Sequence, residues 1–236
     1  MARLLLTLPL LVAATLPAQA QRDPLKPEAM TGSNIAVAPQ PVDAQRSGII
    51  QKGMARCIYK ASKVKVAALL DHSDPVMVDL PGAGIKDMDK ELNMGSCMGD
   101  EMGADQSALG LRFTADWLRD LMYEETYLAT NRAAPAAPAA GTPLDASFVS
   151  TGPYLARAKA IAAITDCAVL KDLAHADALL RTTPGSAAEL AAAKVVAPSL
   201  AACLGDGQTT GMSAARIRSL VAYGLWNRFG RKGPVK

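Results

Sequence analysis

Cys97-Met-Gly-Asp100 and Cys203-Leu-Gly-Asp206 are two versions of one short stretch. Counted on from each cysteine, both reach Ser-Ala ten residues later, Ser107-Ala108 and Ser213-Ala214, and an aliphatic-Arg pair fourteen later, Leu111-Arg112 and Ile217-Arg218. The correspondence extends upstream. Cys57 precedes the first stretch by 40 residues and Cys167 precedes the second by 36; laid over each other from those cysteines, the copies set Leu69-Leu70 opposite Leu179-Leu180 and bring Pro75 within one residue of Pro184. Such a register predicts a tandem duplication with two cysteines per unit.

The chain opens with Arg3, an apolar run from Leu4 to Leu16, and Ala-Gln-Ala ending at Ala20. These are the three parts of a secretory signal peptide, so residues 1–20 are set aside from the fold and an exported, periplasmic or secreted product is expected. The apolar run is shorter than the roughly 20 residues a bilayer-spanning helix needs, and no transmembrane segment is expected after cleavage. Losing Arg3 takes the 25 basic residues to 24 against 22 acidic. A balance so near neutral provides no long-range attraction for nucleic acid. Only Arg228, Arg231, Lys232 and Lys236 form a local basic group, read as a solvated tail.

Export gives the cysteines their chemistry. Four cysteines allow three pairings, and only Cys57–Cys97 with Cys167–Cys203 respects the duplication, which predicts one disulfide in each unit. There is no Cys-x-x-Cys, so a thioredoxin-type pair or a ribbon-type zinc site lacks its spacing.

The fold class follows from composition and punctuation. Half the residues are apolar but only 4% are aromatic, and alanine dominates; alanine loses no side-chain entropy on entering a helix, so the chain is expected to be all-α. Residues 21–42 carry several prolines without an apolar period and read as a flexible arm. In unit one, 43–130, Asp43 caps a helix to about Leu70 whose inward stripe is Ile50, Met54, Cys57, Ala61, Val64 and Ala68. Lys63-Val64-Lys65-Val66 and Val76 to Leu80 alternate as an edge strand would, but have no counterpart in the second copy. A short helix over Asp87–Met94, a loop at Gly99-Asp100 and a helix over Asp105–Ala129 complete the unit.

Residues 131–149 are an Ala/Pro-rich linker. Unit two, 150–230, repeats long helix, short helix, long helix: Ser150 or Thr151 to Leu180, Ser186 to about Val196 opened by a Ser186/Glu189 capping box, and Ser213 to Phe229. Residues 231–236 are the tail.

Neither unit presents a reaction centre. Gly95-Ser-Cys-Met-Gly99 is off by one position from a nucleophile elbow, and Asp100, Glu101 and Asp105 lack the ligand spacing of a calcium loop. His72 and His175 do not correspond between copies. No catalytic residue, cofactor or metal is assigned. The matched charges, Asp100 with Asp206 and Arg112 with Arg218, are the positions for a functional surface, against the alternative of a salt bridge or cap repeated with the fold. Three functions follow as expectations. The first is a non-catalytic exported protein working through protein or envelope contacts. The second is a copper carrier using Met88, Met94, Met98 and Met102, although Leu200 and Leu204 stand where the second copy would need Met94 and Met98. The third is a hydrolase with its site between the units.

Overall fold

The carboxylate of Asp43 accepts the Arg46 backbone N–H at 2.8 Å and so opens the first helix where the sequence places it. The structure is a computed structural model that describes residues 43–102, 114–204 and 211–231. The segments expected as signal peptide and arm, Ser107, Leu111, Arg112, Asp206 and Lys232 to Lys236 lie outside these residues. The described chain is all-α: α1 (Ala44–Ala61), α2 (Lys63–Asp71), α3 (Met88–Glu91), α4 (Met94–Met102), α5 (Ala115–Thr130), α6 (Gly152–Lys171), α7 (Leu173–Arg181), α8 (Ala187–Leu204) and α9 (Ala214–Leu225), followed by a π-helical turn, Trp226–Gly230. Among these residues the only extended pairing is a single bridge between Ser73 and Val78, so Lys63–Val66 is helical and not an edge strand.

Both long first helices end sooner than their apolar period suggests. The chain kinks at Ser62 (φ −133°, ψ 38°), five residues after Cys57, and at Asp172 (φ −148°, ψ 61°), five after Cys167. A nine-residue helix, α2 or α7, follows each kink. Ser and Asp are residues whose side chains compete with the helical ladder, which suits them to such points. The kink changes which side faces the core: Val64 is 76% exposed, while Val66, Leu69 and Leu70 are buried.

Two further expectations are corrected. The stretch after Cys97 is helix through Gly99 and Asp100 to Met102, because Asn93, at φ 56°, takes the turn that was expected after the cysteine. Helix α8 runs through Pro198 to Leu204; Pro198 lies on its exposed side.

The disulfides are Cys57–Cys97 and Cys167–Cys203, with Cα–Cα distances of 5.5 and 6.0 Å. Each stays within its half. The first pins α1 to α4 and the second α6 to α8. The buried side chains of both halves nevertheless form one continuous core. Its centre is Tyr123 of α5, wholly buried, whose ring lies 5.2 Å from Tyr223 and 4.5 Å from Trp226 in the other half.

Residues 131–149 carry no helix, as expected, but they are tied down at several points. Arg228 forms a two-pronged ion pair with Asp166, at 2.7 and 2.5 Å, and donates to the Thr142 and Pro143 carbonyls; Arg231 donates to the Asp145 carbonyl and to Ser147. These two arginines therefore clamp the linker and do not belong to a solvated tail.

Asp74 holds the linker's far end. Its wholly buried carboxylate accepts from the N–H groups of Val76, Met77, Val149 and Ser150 and from the Ser150 hydroxyl, at 2.7 to 3.0 Å. Burial pushes its pKa up, but the Val76 and Ser150 donors outweigh it and the net direction is down. A depressed carboxylate stabilises the fold above its unfolded pKa, about 3.9, and that contribution is lost as pH falls through the folded value. Asp74→Ala is expected to cost about 2 kcal/mol at neutral pH. Urea melts of both proteins should differ by a constant amount between about pH 5 and 8 and converge only below about pH 4.

Candidate functional site

Helix α9 begins at Ser213, whose hydroxyl accepts the Arg216 N–H at 3.3 Å, and α5 at Thr114, which accepts from Trp117 at 3.2 Å. Counting five residues from these caps reaches Arg218 and Arg119, and both are buried, at 6% and 4% exposure. Leu118 with Ile217 and Met122 with Val221 fall in the same register, all buried. Arg119 and Arg218 thus stand at equal distances from their caps; Arg112, which the sequence register pairs with Arg218, lies outside the described residues.

Arg218 is the hub of a buried charge network and not a surface residue. Its Nε and one terminal nitrogen grip both Glu124 oxygens, at 2.6 and 2.7 Å, and it reaches Glu189 at 3.3 Å. It also donates to the carbonyls of Leu179, Leu180 and Thr182, satisfying the C-terminal end of α7. Lys52 of α1 completes the set: its ammonium lies 2.8 Å from the Leu180 carbonyl, 3.3 Å from that of Thr182 and 3.1 Å from Glu124. Burial holds the Lys52 pKa down, with Glu124 opposing it. Glu189 accepts from the Gly185 N–H at 2.7 Å while its own N–H meets the Ser186 hydroxyl at 3.1 Å. The serine half of the capping box is therefore formed, while its acid reaches one residue further back, to Gly185, and is shared with Arg218.

Above this network α1, α5, α9 and the α7–α8 turn enclose a cleft of about 550 Å³ where the two halves meet, within the size range of small-molecule sites. Ala55, Trp117, Leu121, Pro184, Ala215 and Ala222 supply its apolar walls. One end is closed by the α7–α8 turn, where Gly185, at φ 74°, brings its α-carbon so near the Ala44 carbonyl that any side chain would collide with it. Polar groups at the wall are engaged. Ser219 donates to Asp120 at 2.5 Å, Asp120 also accepts from Arg119, and the Ser47 hydroxyl accepts from Gln51. Glu125 is buried with its carboxylate 3.6 Å from Arg56; burial pushes its pKa up, with Arg56 pulling the other way.

Of the other sequence-assigned positions, Asp100 is exposed on α4, and Arg112 and Asp206 lie outside the described residues. Met94 is buried, and Met88 and Met98 pack against the core. These methionines fill space beside Cys97. Among the described residues no three His, Cys, Asp or Glu side chains converge as a metal site. Lys52 and Glu124, which the sequence reading missed, carry no local signal, for their partners are about a hundred residues away in the chain. Comparison with protein-family models, curated proteins and solved structures finds no match to this chain.

Proposed function

We propose that this is an exported, periplasmic, non-catalytic helical protein, built from two fused copies of one disulfide-braced unit, that holds an apolar group of an envelope partner in the α1–α5–α9 cleft. One observation carries the reading: the walls are largely apolar, while Lys52, Arg218, Glu124 and Glu189 on the floor are already bonded to one another or to backbone carbonyls. Charges so engaged can hold a bound group but are not free to move a proton. Two disulfides fit an oxidising compartment. The equal spacing of kinks after Cys57 and Cys167, and of buried arginines after the α5 and α9 caps, supports the duplication.

The test is a photo-crosslinking residue at Leu121 in the cleft, with the same residue at exposed Arg132 as control, in intact cells of the native host. A discrete adduct from position 121, lost when Ala222→Trp fills the cleft, is expected. Equal adducts at both positions would count against the cleft.

A second reading, a hydrolase in this cleft, has one observation in its favour. Lys52 and Glu125 line it with pKa values displaced in opposite directions, one held down and the other pushed up by burial. Ester turnover abolished by Ser219→Ala would establish it.

A further inference from the structure

Among the described residues, α8 alone is long and apolar enough to cross a membrane by length and composition, yet only 22% of it is buried. A core helix passes that test because it is covered; this one is not. Its inner face, Glu189, Ala193, Val196 and Leu200, packs on the protein, and Cys203 ties its end to α6. Its outer stripe, at intervals of three and four, is Ala187, Ala191, Lys194, Pro198 and Ala202, flanked by Leu190 (50% exposed) and Val195 (48%).

Along the chain from the end of α6 through α8, the exposed formal charges are of one sign. From Leu170 to Leu204 the exposed charged side chains are Lys171, Arg181 and Lys194. All three acids of the segment are turned inward or paired: Asp172 to His175 at 2.7 Å, Asp177 to Arg181 and Tyr127 at 2.7 Å, and Glu189 to Arg218. Lys171 and Lys194 make no ion pair or side-chain hydrogen bond among the described residues.

We propose that the outer face of the α7–α8 hairpin rests on an anionic lipid surface. An apolar face whose charges are only cations matches an anionic headgroup layer with acyl chains beneath it. Two arguments set other occupants aside. A second copy meeting this face about a twofold axis would bring like charges together. A protein partner would ordinarily be anchored by Trp or Tyr, and this face has neither. The helix lies on the surface and does not cross it, because its inner face carries the Glu189–Arg218 contact and the disulfide.

The experiment uses the mature chain, residues 21–236 with both disulfides formed, floated with vesicles of phosphatidylglycerol and phosphatidylcholine or of phosphatidylcholine alone. Binding to the anionic vesicles only, weakened by salt, is expected. Lys171→Glu with Lys194→Glu should lower the partition coefficient at least 25-fold, at about fivefold per cation. Leu190→Ser with Val195→Ser should weaken it at unchanged salt dependence. Lys60→Glu with Lys86→Glu, the same change of charge on exposed positions of the first half, should leave it within about twofold. The proposal fails if the two vesicle types bind alike, if the Lys60/Lys86 pair loses as much as the Lys171/Lys194 pair, or if the hairpin variant instead loses binding to an acidic protein while wild type ignores lipid.

Discussion

Arg218→Met should lower the stability of the folded protein by about 3–5 kcal/mol, since removing one member of a buried ion pair strands the other. Three consequences combine. Glu124 and Glu189, both buried, lose the guanidinium that faces them. The carbonyls of Leu179 and Leu180 lose one donor, and Leu179 has only the Thr182 N–H and hydroxyl in its place. Lys52 then remains as the cation nearest Glu124, at 3.1 Å. The melting temperature should fall by about 10 °C, at about 2–4 °C per kcal/mol for a body of this size. Adding Glu124→Leu should recover part of the loss, because it removes one stranded charge, but Glu189 and the α7 carbonyls stay uncompensated. Arg119→Met is the built-in comparison. Its acidic partners Asp116 and Asp120 are 63% and 27% exposed, so water replaces the arginine there, and the one buried group it leaves is the Asp74 carbonyl, to which it donates at 3.0 Å; the cost should be about 1–3 kcal/mol. Urea melts with disulfides intact measure all four proteins. An Arg218→Met variant within about 1 kcal/mol of wild type would show that the network is not a brace.

The same residue shows where sequence reading succeeds and where it stops. Helix was legible because alanine dominates, and the cysteine pairing was legible because reading Cys97-Met-Gly-Asp and Cys203-Leu-Gly-Asp as copies left one consistent choice. Capping was legible at Asp43 and Ser186, where a side chain bonds an amide three residues on. The kinks at Ser62 and Asp172 were not, for the apolar period runs through them and packing decides which side turns inward. Arg218 was singled out for its match to Arg112, which lies outside the described residues, but its burial and its partners were not legible. The cleft was beyond reach. Lys52, Glu124, Glu189 and Arg218 sit on four separate helices, α1, α5, α8 and α9, and no local pattern joins them. The exposed side of α8 was hidden for the opposite reason, since an alanine-rich apolar helix reads the same whether the protein covers it or leaves it open.

Removing either disulfide, as Cys57→Ala with Cys97→Ala or Cys167→Ala with Cys203→Ala, should destabilise the protein by about 4 kcal/mol, equivalent to a fall of roughly 8–16 °C in melting temperature. The bridges close spans of 40 and 36 residues. Loop entropy depends only on the logarithm of that length, so the two variants should differ through the unfolded chain by only about 0.1 kcal/mol. Any larger difference measures what each bridge does in the folded state. There the two sites are unlike. Helix α4 is nine residues long and its described core contacts centre on Met94 and the wholly buried Cys97, whereas α8 keeps Ala193, Val196, Leu200 and the Glu189–Arg218 bond without its sulfur. Loss of Cys57–Cys97 should therefore free α4 locally, seen as rapid amide exchange over residues 94–102 at conditions where α1 and α5 remain protected. Loss of Cys167–Cys203 should leave α8 protected until the whole molecule unfolds. Equal exchange in the two variants would mean that α4 is held by more than its cysteine, and the first bridge would then act on the unfolded chain alone.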